Sequence, residues 1–135
     1  MEKYNSAQLK QIEIGKSKNL NTNIYENPNF SALKMKQIRE GLELGLNAEI
    51  YADEKFDLNQ MVEIKVGLKN KIDVSKYANP IYNYKQMMII RTALENNLDV
   101  SEILGKNMDW SDMEKVRKKL TKKLHNKKTS ENSDK

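Results

Sequence analysis

A repeat with a period of 26 residues runs through almost the whole chain, and it constrains the fold more than any other feature. The repeat needs no insertion or deletion to keep several apolar positions in register. Three of these positions hold an aromatic residue, a methionine and an isoleucine, as in Phe30, Met35 and Ile38 of the second unit. The repeat units are placed at residues 4–29, 30–55, 56–81, 82–107 and 108–125.

Each unit is predicted to form a long helix followed by a short one. The long helices begin at N-cap residues, which are Asn5, Ser31, Asp57, Asn83 and Asp109. Apolar residues then recur at intervals of three, four and four, which is the spacing of one helix face. A left-handed residue is expected to end the helix at Asn19, Gly45 and Asn97, whereas Lys71 and Lys123 suit that role poorly. A short helix of one to two turns begins at a second set of N-caps, Asn21, Asn47, Asp73 and Asp99.

A unit of 26 residues is too small to bury its own apolar face, so neighbouring units must cover it. The sequence therefore predicts an all-α fold of tandem two-helix repeats, stacked as a small α-solenoid or curled helical array. One helical-repeat domain is expected over residues 1–125, with a disordered basic and polar tail over residues 126–135. Small residues recur at Gly15, Gly41, Gly67 and Ala93, which predicts close approach of successive long helices. A compact globular bundle of the same helices is the alternative.

Composition excludes several kinds of chemistry. The chain has no cysteine, and its one histidine lies in a lysine-rich segment, so thiol catalysis, histidine metal sites and Ser-His-Asp chemistry are ruled out. No glycine-rich phosphate loop or convergent carboxylate pair is evident, so we expect a non-enzymatic protein without cofactor or metal. The longest strictly apolar stretch, residues 87–90, is far too short for a membrane span, and the N-terminus lacks a signal pattern. A cytoplasmic location is therefore expected.

Basic charge is concentrated at the C-terminal end. The formal net charge is +5, and residues 115–135 hold nine of the 24 lysines and arginines. A nucleic-acid-binding surface is one interpretation of this segment, because such a run can follow a phosphate backbone. Its residues are Lys115, Arg117, Lys118, Lys119, Lys122 and Lys123. A solvated capping helix is the other interpretation, since cations suit the negative end of the helix dipole.

A cation also follows the core isoleucine or valine in four of the five repeats. These residues, called here the cation row, are Arg39, Lys65, Arg91 and Arg117. They would form a ladder of binding contacts along one face, with Arg39, Lys65 and Arg91 offered to a partner. Local pairing is the alternative, because Arg39 precedes Glu43 by four residues and Arg91 precedes Glu95 by four. Lys65 is followed by Lys69 instead, so local pairing does not account for every member.

Aromatic residues fall into two groups. Those at the junctions between helices are expected to pack in the core, and they are Tyr25, Phe30, Tyr51, Phe56, Tyr77 and Tyr82. Tyr84 and Trp110 share a different repeat position at the start of a helix, where exposed aromatic residues favour a partner-binding role. A helix-turn-helix reader of the DNA major groove is disfavoured, because the relevant helix starts carry few cations.

The string that runs from Phe56 through Gln60-Met61, Ile64 and Gly67-Leu68 to residues 72–78 (IDVSKYA) resembles a known tandem repeat. This repeat belongs to phage, plasmid and conjugative-element proteins of Gram-positive bacteria, and the resemblance covers residues 4 to about 125. It implies an accessory protein of a mobile element, of a kind that often binds host defence machinery. An inhibitor of a host nuclease complex, of the anti-CRISPR or anti-restriction type, is the corresponding expectation. The resemblance carries over no functional residue.

Two functions are therefore kept open. The first is a non-enzymatic helical-repeat protein that binds another protein. The alternative is a nucleic-acid-binding protein that uses the basic C-terminal helix and the cation row. The sequence does not indicate an oligomeric state.

Overall fold

The helix boundaries follow the 26-residue period. The computed structural model describes residues 3–105 and 107–133, and within these residues it contains helices and turns but no strand. The five α-helices are α1 (Ser6–Ser17), α2 (Ala32–Glu43), α3 (Leu58–Lys69), α4 (Tyr84–Glu95) and α5 (Trp110–Ser133). Helices α1 to α4 have 12 residues each, and successive helices begin 26 residues apart. The predicted all-α class is confirmed for the described part of the chain.

The long helices begin where the sequence predicts, because a polar side chain caps each one. The side chains of Asn5, Ser31, Asp57 and Asn83 each accept a hydrogen bond from the backbone N–H three residues later. A glutamine completes a capping box in α1, α3 and α4, whereas α2 has a lysine at that position. Asp109 likewise accepts from the N–H of Asp112 at 2.9 Å.

Helices α1 to α4 are each followed by a residue with positive φ. Asn19, Gly45 and Asn97 adopt this conformation as predicted. Lys71 adopts it as well, with φ of 61°, so the expectation that lysine is unsuited to this position is wrong. A residue with a Cβ atom tolerates the left-handed region at a cost of about 1–2 kcal/mol, which the surrounding structure must offset.

The short helices are single 3₁₀ turns, at the lower end of the one to two turns that the sequence predicts. They are η1 (Thr22–Ile24), η2 (Ala48–Ile50), η3 (Val74–Lys76) and η4 (Val100–Glu102). Asp73 and Asp99 cap their turns by accepting from the N–H two residues later, as expected. Asn21 and Asn47 make no side-chain cap, so that part of the prediction is wrong. In both cases the turn is closed by backbone hydrogen bonds instead.

The core is built from the repeated aromatic, methionine and isoleucine positions. All of the predicted core aromatics are buried, and the methionines Met35, Met61, Met87 and Met113 are fully buried. The repeated isoleucine position is buried as well, at Ile12, Ile38, Ile64 and Ile90. Leucines that continue the spacing of this helix face, namely Leu42, Leu68 and Leu94, are half-buried.

The recurring glycines make room for tyrosines of their own repeat. Tyr25 donates a hydrogen bond to the Gln11 carbonyl at 2.6 Å, and Tyr51 donates to the Gln37 carbonyl at 2.6 Å. A Cβ atom at Gly15 or Gly41 would overlap the hydroxyl of that tyrosine. The predicted contact between successive long helices at these two glycines is therefore replaced by a contact inside one repeat.

The chain divides into two compact units, Met1–Lys71 and Ile72–Lys135. In the first, α2 packs against both α1 and α3; in the second, α4 packs against α5. The single domain expected over residues 1–125 stays a prediction. The disordered tail expected over residues 126–135 also stays a prediction; α5 continues to Ser133, and residues 134 and 135 lie outside the described residues. No glycine or proline between residues 110 and 133 interrupts this helix.

Candidate partner-binding surface

Tyr84 and Trp110, the two aromatic residues predicted to contact a partner, are exposed at the first positions of α4 and α5. Tyr84 is 39% exposed and Trp110 is 45% exposed, whereas the core aromatics are buried. The structure adds Met88, which is 41% exposed and stands one helical turn after Tyr84. Met88 is not predicted from the sequence because it lies in the continuous apolar run of residues 87–90, where periodicity does not separate core from surface.

Met88 and Trp110 line one groove between α4 and α5, which we call the α4–α5 groove. Its volume is about 350 Å³. Its lining residues are Met88, Ile89, Thr92, Trp110, Glu114 and Arg117. Three of these residues belong to α5, and their spacing of four and three residues puts Trp110, Glu114 and Arg117 on one side of that helix. Tyr84 does not line the groove, so the structure brings Trp110 together with Met88 and leaves Tyr84 one turn away.

The polar groups of the α4–α5 groove already have partners within the chain. Arg117 Nε donates to Glu114 Oε2 at 2.8 Å, and a second guanidinium nitrogen donates to the other carboxylate oxygen. Hydrogen bonds from Arg117 hold the pKa of the Glu114 carboxyl below its usual value, and the same contact raises the pKa of Arg117. Thr92 donates its hydroxyl to the Met88 carbonyl at 2.8 Å. The groove therefore presents mainly apolar surface to an incoming group.

A lysine lies over the indole at one end of this groove. Lys85 Nζ is 5.0 Å from the centroid of the Trp110 ring, within the range of a cation–π interaction. The indole thus keeps one face against α4 while nearly half of the side chain meets solvent.

The cation row is paired with carboxylates, which disfavours a ladder of free charges. Arg39 pairs with Glu43, Arg91 with Glu95 and Arg117 with Glu114. Lys65 pairs with Glu40 of the preceding helix at 3.4 Å, a partner 25 residues away that local spacing does not reveal. These four side chains are no more than 20% exposed. The structure therefore places the predicted partner residues Arg39, Lys65 and Arg91 in ion pairs, and Arg39 is buried.

The equivalent groove in the first unit has a different character. It lies between α2 and α3 and is lined mostly by polar and charged side chains, among them Lys36, Glu40, Lys65 and Lys69. Met88 of α4 corresponds to Lys36 of α2, two repeats earlier. At this position a charged side chain of the first unit is replaced by an apolar one in the second.

Five predicted nucleic-acid residues form a continuous face of α5, called here the basic face. They are Lys115, Lys118, Lys119, Lys122 and Lys123, and all are exposed. Their spacing of three, one, three and one residues keeps them on one side of the helix. No salt bridge to a carboxylate of the described residues involves any of the five. Arg117, the sixth predicted residue, is paired with Glu114 in the α4–α5 groove and does not belong to this face.

Among the side chains that the structure describes in residues 3–105 and 107–127, no group of three or more His, Asp and Glu residues is placed to hold a metal ion. None of the helices in residues 3–105 and 107–133 is both long and apolar enough to span a bilayer. Comparisons of the chain with protein-family models, curated proteins and solved structures find no match.

Proposed function

We propose that this chain is a non-enzymatic helical-repeat protein that binds another protein through the α4–α5 groove. The observation that carries the proposal is the exposure of Met88 and Trp110 together on the two helices that border the groove. Apolar side chains clustered at the surface are typical of interaction sites, and tryptophan is enriched among the residues that dominate binding energy. Tyr84, one turn from Met88, extends the same exposed surface.

The proposed architecture is that of a small α-solenoid, in which each repeat covers the apolar side of its neighbour. Contacts between consecutive long helices inside each compact unit support it. The buried methionine and isoleucine positions recur in successive repeats, while the outward positions change from repeat to repeat. Repeat proteins use such variable outward positions for binding.

The partner class that we propose is a host defence nuclease complex, which the chain would inhibit in the cytoplasm in the manner of an anti-CRISPR or anti-restriction protein. This setting is supported by the resemblance of the repeat to mobile-element proteins. A fold alone does not specify a function, so the setting rests on that resemblance and the groove supports only the mode of binding.

A capture experiment with single-residue variants tests the proposal. Met88→Ala and Trp110→Ala should each weaken capture of the partner about 10- to 30-fold, the size expected for residues that anchor an interface. Leu33→Ala is the matched control, because Leu33 is also an exposed apolar residue near the start of a 12-residue helix. Circular dichroism checks that each variant is folded. Equal capture by the parent chain, Met88→Ala and Trp110→Ala would refute the proposal.

Nucleic-acid binding by the basic face of α5 is the second candidate. Five exposed lysines without carboxylate partners in the described residues favour it. Affinity for a duplex should then fall with salt, with a logarithmic slope of about 0.9 per phosphate contacted. Lys118→Gln/Lys122→Gln should reduce that slope, whereas Arg39→Gln should not, because Arg39 is paired with Glu43. A slope that is the same in all three proteins would reject this candidate.

A further inference from the structure

The α4–α5 groove has cations at its borders whose charge no carboxylate of the described residues neutralises in an ion pair. Lys85 lies over the Trp110 ring, and Lys118 stands one helical turn after Glu114, which lines the groove. The charge of Glu114 itself is neutralised by Arg117. Asp112 is close in sequence to Trp110, but residues two apart on a helix do not share a face. Lys85 and Lys118 therefore place positive charge beside the groove, while its lining is mainly apolar.

We propose that the occupant of the α4–α5 groove is an acidic amphipathic helix of the partner protein, an inference that rests on the proposed function. A groove between two helices is a common receptor for the apolar face of a third helix. The volume of about 350 Å³ accommodates a few apolar side chains from such a segment. Carboxylates that flank those side chains would lie opposite Lys85 and Lys118. Charge complementarity of this kind sets partner choice and accelerates association.

The basic face of α5 adds to this preference at longer range. Lys115 and Lys119 lie on the same helix as the groove residues and carry exposed charges. Such charges attract an acidic segment before it docks, and their effect weakens as salt increases. An acidic helix is thus favoured both at the groove and during approach.

The test uses three synthetic helical peptides that share one leucine pattern and contain no tryptophan. Their flanking residues are glutamate in the first, glutamine in the second and lysine in the third. Trp110 is the sole tryptophan of the chain, so its fluorescence reports on the groove directly. The glutamate peptide should shift the Trp110 emission and bind on the order of tenfold more tightly than the lysine peptide at low salt, with the gap closing at high salt.

Charge reversal provides the decisive variant. Lys85→Glu/Lys118→Glu should invert the order, so that the lysine peptide binds more tightly than the glutamate peptide. Lys10→Glu/Lys55→Glu is the matched control: both lysines lie in the first compact unit, and Lys55 also stands over an aromatic ring, that of Phe56. The control should keep the order of the parent chain. An order that charge reversal at Lys85 and Lys118 leaves unchanged would overturn the inference.

Two further measurements extend the test. The first distinguishes an acidic helix from nucleic acid as the occupant of the groove, and the second distinguishes failure of this inference from failure of the proposed function. If a single-stranded DNA oligonucleotide shifts the Trp110 emission and the glutamate peptide does not, the groove serves nucleic acid and the inference is wrong. If the glutamate peptide fails while capture of the native partner still depends on Met88 and Trp110, the inference is wrong and the proposed function stands. If capture depends on neither residue, the proposed function fails, and the inference that rests on it fails as well.

Discussion

Replacing Gly41 with alanine should destabilise the chain, although alanine is the better helix former. The Cβ atom of an alanine would overlap the hydroxyl of Tyr51, which is fully buried and donates to the Gln37 carbonyl. It would also lie 3.3 Å from the Cβ atom of Ala48. The tyrosine ring must move or lose its hydrogen bond to make room.

The size of the effect follows from three contributions. Crowding a packed core costs about 1–3 kcal/mol, and losing the hydroxyl hydrogen bond costs about 1 kcal/mol. The higher helix propensity of alanine returns about 1 kcal/mol. Gly41→Ala should therefore lower the free energy of unfolding by about 2 kcal/mol, and Tyr51→Phe should lower it by about 1 kcal/mol.

The double variant shows whether these losses share a cause. Without the hydroxyl, the new Cβ atom meets the ring carbon Cζ at 3.1 Å, a tight contact that a small shift relieves. Gly41→Ala/Tyr51→Phe should lose about 1 kcal/mol rather than the roughly 3 kcal/mol of independent effects, a coupling of about 2 kcal/mol. The fourth repeat has alanine at the position of Gly41 and a residue without a hydroxyl at the position of Tyr51. These residues are Ala93 and Ile103, and both are fully buried.

Urea unfolding followed by circular dichroism measures the free energy of unfolding of the parent chain, the two single variants and the double variant. If the denaturant slopes are equal, the unfolding midpoints give the differences in free energy. Gly45→Ala is the control, because Gly45 has φ of 73° and open space around the position of a Cβ atom. It should cost about 1–2 kcal/mol and show no coupling to Tyr51→Phe. Additive losses in Gly41→Ala/Tyr51→Phe would refute the role given to the recurring glycine.

Three more predictions follow from single contacts. Lys65→Arg should stabilise the chain by about 1 kcal/mol, because the longer guanidinium group can donate to Gln37 Oε1. That oxygen is buried without a hydrogen bond, and Gln37 and Lys65 both line the groove between α2 and α3. A loss of stability in Lys65→Arg would count against this prediction. Gln86→Glu should cost about 1–2 kcal/mol at neutral pH, since Gln86 Nε2 donates to the Met108 carbonyl at 2.6 Å, and the loss should shrink in acid as the new carboxyl protonates. Burial raises the pKa of the Tyr51 hydroxyl above its ordinary value of 10. The unfolded chain therefore loses this proton first, so the free energy of unfolding should fall as the pH rises above 10. Tyr51→Phe should reduce that fall in a series of denaturation experiments at alkaline pH.

Local sequence features predict much of this fold. The caps at Asn5 and Asp57 and the helices that they begin depend on hydrogen bonds within three residues, so the sequence contains the whole interaction. The buried methionine and isoleucine positions follow in the same way from the spacing of one helix face. The prediction for Lys71 fails because the backbone preference of a single residue is weak. The helix α3 before Lys71 and the 3₁₀ turn η3 after it can override that preference.

Contacts between distant residues could not be predicted from local spacing. Lys65 of α3 pairs with Glu40 of α2, so the residue four positions later, Lys69, does not indicate its partner. The partner of Gly15 is Tyr25 and not the next long helix, because a glycine indicates that space is needed but not what fills it. Met88 escaped notice because only packing determines which residues of a continuous apolar run reach the surface.

Photocrosslinking at position 88 tests most directly whether the chain works through the α4–α5 groove. A benzophenone amino acid is placed at position 88 in one protein and at position 36, the equivalent exposed position of α2, in another. Irradiation in the host cell should join position 88 to one defined protein and leave position 36 without that adduct. Equal adducts at both positions, or adducts to nucleic acid at position 88, would contradict the proposed mode of binding.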